Sequence, residues 1–321
     1  MTAGNVGVTG ISGDTALALD RAGLEVPDVL RAVAAALDED FRYGPDVTSA
    51  ATVTGRTVTA EVVARETGVV AGLPVALAVL DLIGGYFGAG TAGGGAPGGG
   101  AAGDVTGTAL AQDGALIGAG DAVLRVSGDA VAVLGAERTV LNFLTHLSGI
   151  ASATRNWAAA VEGTGAVIRD TRKTLPGLRG LEKYAVRCGG GENHRMGLGD
   201  AALVKDNHVA SAGGVGPAVR AVRAAARPGL VIEVECDSVA QVHEALAAGA
   251  RFLLLDNMPV PVLREAVTLA RQYTGVRLEA SGGLHLAGAR KVAETGVDYL
   301  SVGALTHSSR ALDLGLDYRD S

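Results

Sequence analysis

The 321-residue chain predicts an α/β protein: an incomplete β/α barrel of about six parallel strand–helix units with a smaller α+β N-terminal domain. Three observations predict it. Short apolar runs at residues 166–170, 201–205, 231–235, 252–256, 276–281 and 299–303 alternate with helical patterns at 178–187, 214–226, 239–248, 261–273 and 287–294. Units of this length imply parallel strands joined by crossover helices. No Gly-x-Gly-x-x-Gly turn follows a first strand, which disfavours a doubly wound open sheet. Polar or glycine residues close every run, as expected where the C-terminal ends of barrel strands build one site.

The N-terminal part reads differently. Residues 1–26 are rich in Gly and Thr and are expected to form a poorly ordered tail. An α+β domain is expected over 27–148. Pro27 and Asp28 open a helix in which Leu30, Val33, Ala34 and Leu37 recur at helical spacing. Residues 57–63 alternate as a half-buried strand, 68–73 read as another, and Pro74 starts a helix reaching about residue 82. The low-complexity stretch 88–104 reads as a mobile surface loop. It does not resemble a phosphate-binding loop, because no Lys-Ser/Thr follows and no strand-to-helix switch brackets it. Strands are expected at 105–111 and 122–126, then a long helix over about 138–161. The barrel is expected over 149–305, with 306–321 packing back on the N-terminal domain.

Composition narrows the function classes. Twenty-seven Lys and Arg against 34 Asp and Glu leave a net charge of −7, with aromatics at 3%. A nucleic-acid binder would need a broad basic face and stacking aromatics. The two cysteines, Cys188 and Cys236, are too few for a disulfide framework or a zinc site, and fit a reduced, cytoplasmic setting. The N-terminus shows no basic leader with an apolar core. The most apolar stretch, 69–90, is interrupted by Pro74, Asp81 and glycines, so no membrane span is expected.

Against this acidic background, residues 170–208 carry seven cations: Arg172, Lys173, Arg179, Lys183, Arg187, Arg195 and Lys205. Arg179, Lys183 and Arg187 recur every four residues and read in part as a solvated helix face. The others sit at element ends beside glycines, where converging cations repel unless an anion joins them. Arg172 and Arg195 can each grip a carboxylate with a two-pronged fork, and Thr171 and His194 add donors. Lys173 and Lys205 suit phosphate oxygens. Glu235 and Asp256, on adjacent strands, can hold Mg²⁺ or bond sugar hydroxyls. Gly282, Gly283 and Gly303 let backbone N–H groups approach a phosphate. Thr306, His307 and Ser308 are candidates to support that turn.

Assembled in order, these segments resemble the quinolinate phosphoribosyltransferases, or carboxylating nicotinate-nucleotide pyrophosphorylases. The likeness rests on ERTVLNFLTHLSGIASATR at 137–155, DTRKTLPGLRGLEKYAVRCGGGENHRMGL at 170–198, VKDNH at 204–208, IEVEC at 232–236, LLLDN at 253–257, SGG at 281–283 and SVGALTHS at 301–308. DVTS at 46–49 and ARETGVVAGL at 64–73 match the N-terminal domain. The resemblance implies transfer of a phosphoribosyl group from phosphoribosyl pyrophosphate to quinolinate with loss of CO₂, supported by Mg²⁺. It implies that Arg138, Thr171, Arg172, His194 and Arg195 bind the two carboxylates. Lys173, Lys205, Glu235, Asp256, the turn Ser281-Gly282-Gly283 and the turn Gly303-Ala304-Leu305 would hold the phosphoribosyl donor. It further implies a homodimer in which Arg138 reaches the neighbouring subunit's site.

Three rival readings make different demands. A related transferase acting on nicotinate would need fewer arginines for one carboxylate. A lyase or aldolase forming an imine on Lys205 would be trapped by borohydride. A non-enzymatic phosphate-binding barrel would keep the glycine turns without needing Glu235, Asp256 or the arginines.

Overall fold

The computed structural model describes residues 10–88 and 105–319. The loop expected at 88–104 therefore lies outside the described residues, apart from Gly88, which ends a helix. In chain order the elements begin with α1 (Gly13–Arg21), α2 (Val26–Phe41), α3 (Val47–Thr52), β1 (Thr57–Ala64), β2 (Gly68–Val69) and α4 (Leu73–Gly88). There follow β3 (Thr106–Ala109), β4 (Leu116–Ile117), β5 (Ala122–Asp129), α5 (Ala130–Val161), β6 (Val167–Arg169), α6 (Arg179–Cys188) and β7 (Ala201–Val204). Next come α7 (Asp206–Ala212), α8 (Val215–Ala225), β8 (Val231–Cys236), α9 (Val239–Ala247), β9 (Phe252–Asp256) and α10 (Val260–Ala270). The chain closes with β10 (Arg277–Ser281), α11 (Ala289–Ala293), β11 (Tyr299–Ser301), α12 (Ala304–His307) and β12 (Leu314–Tyr318). No helix among the described residues is long and apolar enough to cross a membrane.

The chain forms two compact units. One comprises Met1–Ser152, Pro176–Cys188 and Ser309–Ser321; the other comprises Ala153–Leu175 and Gly189–Ser308.

The first unit is built on an antiparallel sheet in the order β12-β1-β5-β3. Three local corrections to the sequence reading arise from caps. Part of the expected disordered tail is α1, whose N-cap Ser12 accepts a hydrogen bond from the Thr15 N–H at 3.2 Å and which buries Leu19. Asp46 accepts from the N–H groups of Thr48 and Ser49, both at 3.0 Å, and so starts the unexpected α3. Asp129 accepts from the N–H groups of Val131 and Ala132 at 3.0 and 3.1 Å. That starts α5 at Ala130, eight residues before the expected position. In each case one short polar side chain satisfies amide groups that a helix start leaves open.

A fourth correction concerns α6, which the sequence reading placed within the barrel domain. It belongs to the first unit: Tyr184 Oη donates to Asp113 Oδ2 at 2.6 Å, and Glu182 Oε1 lies 2.9 Å from His146 Nε2. Its cations are not one solvated stripe, since Lys183 is fully buried while Arg187 is exposed and donates to the Ala22 carbonyl at 2.9 Å.

In the same unit the middle of α5 lies against the C-terminal segment. The Leu312 N–H donates to the Thr145 carbonyl at 2.9 Å, and a Cβ added at Gly149 would lie 2.2 Å from the Arg310 carbonyl oxygen. Alanine within a helix normally gains about 1 kcal/mol over glycine. Here backbone meets backbone, so overpacking wins. Gly149→Ala is expected to destabilise the protein by about 2 kcal/mol and lower Tm by roughly 5 °C, read by thermal denaturation.

The second unit carries a parallel sheet in the order β6-β11-β10-β9-β8-β7. Its edges are the consecutive strands β6 and β7, so the β/α barrel is interrupted there. A single parallel bridge, Arg169 to Glu192, adds a further segment along the β6 edge. Residues paired in register share a face of a sheet, and successive residues alternate faces. One face carries Ile168, Val234, Cys236, Leu253, Leu255, Leu278, Ala280 and Leu300, all buried. The other carries Arg169, Glu233, Glu235, Leu254, Asp256, Glu279, Ser281 and Ser301. The apolar runs in the sequence thus hide a second, polar face.

Candidate active site

The polar face leads to the C-terminal strand ends, where the predicted residues fall into three groups. After β6, Thr171 Oγ1 accepts from the Lys173 N–H at 3.0 Å. The Lys173 carbonyl accepts from Thr306 Oγ1 at 2.8 Å. A Cβ at Gly303 would meet Lys173 Cδ at 3.2 Å, and Thr171 Oγ1 and His307 Nε2 at 3.3 Å. Lys173, Thr171 and the 303–305 turn are therefore one packed cluster, in which a side chain at position 303 would crowd its neighbours. Within that turn Ala304 is exposed, whereas the Leu305 side chain is buried, so only its backbone is placed to meet a ligand.

The second group holds the acids. Glu235, half-buried at the end of β8, has its carboxyl pushed above the usual range by burial, opposed by the Lys205 charge and reinforced by Asp256. The Asp206 N–H also bonds it. Asp256 pairs in register with Ser281 across β9 and β10. Its Oδ2 accepts from Asn257 Nδ2 at 2.7 Å, and the Asn257 N–H donates to the Ser281 carbonyl at 2.9 Å. Asn257 has φ 53° and Gly282 has φ 87°. A Cβ at Gly282 would lie 2.4 Å from Asn257 Oδ1, which explains the glycine beside this strand end. Lys205 is exposed, and its N–H donates to His208 Nδ1 at 2.9 Å, turning the chain into α7.

The third group holds the forks. Arg195 lies beside Arg172; burial, then the Arg172 charge, lowers its pKa, opposed by Asp200 and Glu233. Two guanidinium groups this close favour a shared anion. Arg195 Nη1 donates to the Ala201 carbonyl at 3.1 Å, leaving the rest of its donor set for a ligand. The turn carrying Arg195 is held by Asp170, fully buried, whose Oδ1 accepts from the His194 N–H at 2.8 Å and whose Oδ2 accepts from Asn193 Nδ2 at 2.5 Å. The His194 ring faces inward: Nδ1 accepts from the Arg195 N–H at 2.7 Å, while Nε2 lies 2.9 Å from Glu233 Oε2 and 3.5 Å from Glu279 Oε1.

Beneath the forks lie residues that sequence reasoning missed. Arg169 Nη1 donates to Glu279 Oε2 at 2.5 Å and Nη2 to the Asn193 carbonyl at 3.1 Å, with its guanidinium 4.6 Å from the Tyr299 ring centroid. Ser301 Oγ donates to Glu279 Oε1. Glu233 is 3% exposed and its carboxyl is pushed up to about 7, chiefly by burial, with Arg169 and Arg195 opposing. The ligand atoms of His194, Glu233 and Glu279 lie within 4.8 Å of one another, as in a metal site, but Arg169 already supplies a cation to this group. One signal was present: Glu233 stands two residues before Glu235, and Glu279 two before Ser281, so each shares a strand face with a site residue.

Arg138 lies on α5 in the first unit and is exposed. A cavity lined by Arg155, Glu162, Gly163 and Val167 sits at the N-terminal end of β6, away from the strand-end groups.

The sequence compares closely with characterised families and structures. The C-terminal domain of quinolinate phosphoribosyl transferase matches residues 150–317, and the N-terminal domain of the same family matches 46–148. The carboxylating nicotinate-nucleotide pyrophosphorylase of Mycobacterium leprae is 52% identical over 284 residues, covering 88% of this chain and 94% of its own. The structure of NadC from Streptococcus pyogenes superposes with a TM-score of 0.81 at 37% identity, over 92% of this chain and 99% of that one. The nicotinate-nucleotide pyrophosphorylase structure from Francisella tularensis gives a TM-score of 0.81 at 35% identity, over 91% and 96% of the two chains. Both domains match in order and together span most of the sequence, so this chain belongs to the quinolinate phosphoribosyltransferase family.

Proposed function

We propose that this protein transfers the phosphoribosyl group of phosphoribosyl pyrophosphate to quinolinate, releasing pyrophosphate and CO₂ and leaving nicotinate mononucleotide for NAD biosynthesis. Family membership supports the reaction, and one feature of the fold carries the assignment of residues. Arg172, just after β6, lies beside Arg195 on the turn that Asp170 holds, while Glu235 and Asp256 stand at the ends of β8 and β9 of the same parallel sheet. A dicarboxylate requires the first pair and a phosphoribosyl donor the second.

In this reading Arg172 and Arg195, with Thr171, hold the quinolinate carboxylates. Lys173, Lys205, the Ser281-Gly282-Gly283 turn and the Gly303-Ala304-Leu305 turn hold the donor's phosphates. The pyridine nitrogen attacks the anomeric carbon as the bond to pyrophosphate breaks. Glu235 and Asp256 face the ribose, which gains positive charge, while Lys173 and Lys205 face the leaving group, which gains negative charge. The ring nitrogen, now cationic, stabilises the carbanion left at the adjacent carbon when its carboxylate departs, and a proton then takes that position.

Glu235 and Asp256 also form a donor set suited to Mg²⁺, since both offer hard oxygen ligands and the Asp256 charge disfavours that of Glu235. Held there, Mg²⁺ would supply charge neutralisation to the pyrophosphate. Mixing the protein with quinolinate, phosphoribosyl pyrophosphate and Mg²⁺ should yield CO₂ and nicotinate mononucleotide in equal amounts. Turnover of nicotinate in place of quinolinate, or no turnover by folded protein, would sink the assignment.

The working form is a homodimer whose sites are shared, with Arg138 reaching the partner's quinolinate pocket. The exposure of Arg138 on α5, remote in sequence from the strand-end cluster, supports this role. Two inactive variants, Arg138→Ala and Arg172→Ala, should regain up to about a quarter of wild-type activity when subunits exchange, because a random hybrid rebuilds one intact site. Confirmed hybrids without recovery would place Arg138 in its own chain's site. The free cysteines Cys188 and Cys236 support a cytoplasmic setting.

A further inference from the structure

The polar layer under the arginines is more than a filler of the barrel interior. Its members come from strands far apart in sequence yet converge on one imidazole. Glu233 arrives from β8, Glu279 from β10, Ser301 from β11 and Arg169 from β6. Each is buried or nearly so: Glu279 and Glu233 are 0 and 3% exposed, and the Arg169 side chain is 13% exposed. Keeping such charges away from water is costly unless they are paired. An apolar layer of Leu and Val would be cheaper, so the arrangement asks for a purpose.

The hydrogen bonds identify one. His194 Nδ1 accepts from the Arg195 N–H at 2.7 Å and therefore carries no proton. The ring proton of neutral His194 lies on Nε2, facing Glu233 Oε2 at 2.9 Å. Glu279, at 3.5 Å from the same nitrogen, is itself held by Arg169 and Ser301. Arg169 also holds the Asn193 carbonyl, so the residue before His194 is fixed from the same group. Both ring nitrogens are thus engaged within the protein, and the direction of the Arg195 backbone is tied to the ring.

We propose that Glu233, backed by the Glu279–Arg169 pair, is a positioning residue for the dicarboxylate pocket: it sets the tautomer and orientation of His194, and His194 in turn aims the Arg195 fork. The inference rests on the reading of Arg195 as a carboxylate ligand, and it revises His194 from a substrate donor to a bracket.

The test compares Glu233→Leu with the isosteric Glu233→Gln. The Gln amide oxygen can still accept from Nε2–H, so this variant should keep the KM for quinolinate within about fivefold of wild type. The Leu variant leaves a buried donor without its principal acceptor, and its KM for quinolinate should rise roughly thirtyfold. The KM for phosphoribosyl pyrophosphate should move less than about threefold in both. General loosening would raise both KM values together, and that outcome overturns the proposal, as does an unchanged quinolinate KM in Glu233→Leu.

A second measurement holds even where Glu233→Leu fails to fold. In ¹⁵N-histidine spectra, the His194 signal, assigned by its loss in His194→Gln, should show a protonated Nε2 and a bare Nδ1 in wild type. A protonated Nδ1 in the neutral ring refutes the bracket. Arg195→Ala separates the two levels of the argument. If it leaves the quinolinate KM unchanged, the carboxylate-binding reading fails; if it raises that KM while Glu233→Leu does not, positioning alone fails.

Discussion

Arg195→Ala is expected to raise the KM for quinolinate by about 100-fold with a much smaller change in kcat. The side chain is half-buried beside Arg172, and burial together with that like charge already disfavours its protonated form. A bound dianion relieves this repulsion and meets a planar fork through two charge-assisted hydrogen bonds. Removing one partner of such a pair costs about 2–5 kcal/mol, or roughly 30-fold to several thousand-fold. The lower part of that range applies because Arg172 and Thr171 remain. Arg195→Lys should recover little, since an ammonium group is a point donor and cannot present the fork. Steady-state kinetics with quinolinate varied at saturating donor checks this. An unchanged KM in the alanine variant would move the carboxylate site elsewhere.

Asp256→Asn should act on the other substrate. It keeps the size of the side chain, and the amide oxygen can still accept from Asn257 Nδ2. What disappears is one of two negative charges facing the developing positive charge on the ribose. Loss of a preorganised electrostatic group of this kind costs about 3 kcal/mol in the transition state, or on the order of 100-fold in kcat/KM for phosphoribosyl pyrophosphate. The Mg²⁺ concentration giving half-maximal rate should rise as well, since one hard oxygen donor is weakened. A variant with normal donor kinetics and an unaltered Mg²⁺ response would remove Asp256 from both roles. These expectations are separable from the first: one variant reports on the dicarboxylate, the other on the donor.

Much of the candidate site was legible because barrels place chemistry at strand ends. Asp170 to Lys173, Lys205, Glu235, Asp256 and Ser281 to Gly283 each stand at or just after an apolar run, and a run of that length marks its own end. The polar layer below was not legible in the same way. Glu233 and Glu279 interrupt apolar runs and could equally have been strand residues facing solvent. Arg169 and its partner Glu279 are 110 residues apart, and their meeting depends on the strand order and on a register that pairs Glu279 with Tyr299 and Ser301 with Arg169. The same holds for α6. Its sequence shows three cations at four-residue intervals, yet Lys183 is buried and Arg187 is not, because the helix packs in the first unit.

The sequence by itself determined the alternation of strands and helices, the positions of the strand-end groups and, through its long motifs, the family. Those features are written in short windows, where periodicity, caps and residue type act on neighbouring backbone. Tertiary structure alone decided which charges face one another and what holds His194. Such contacts join residues from different strands, and their energy depends on burial and on separations of a few ångströms that chain order does not specify.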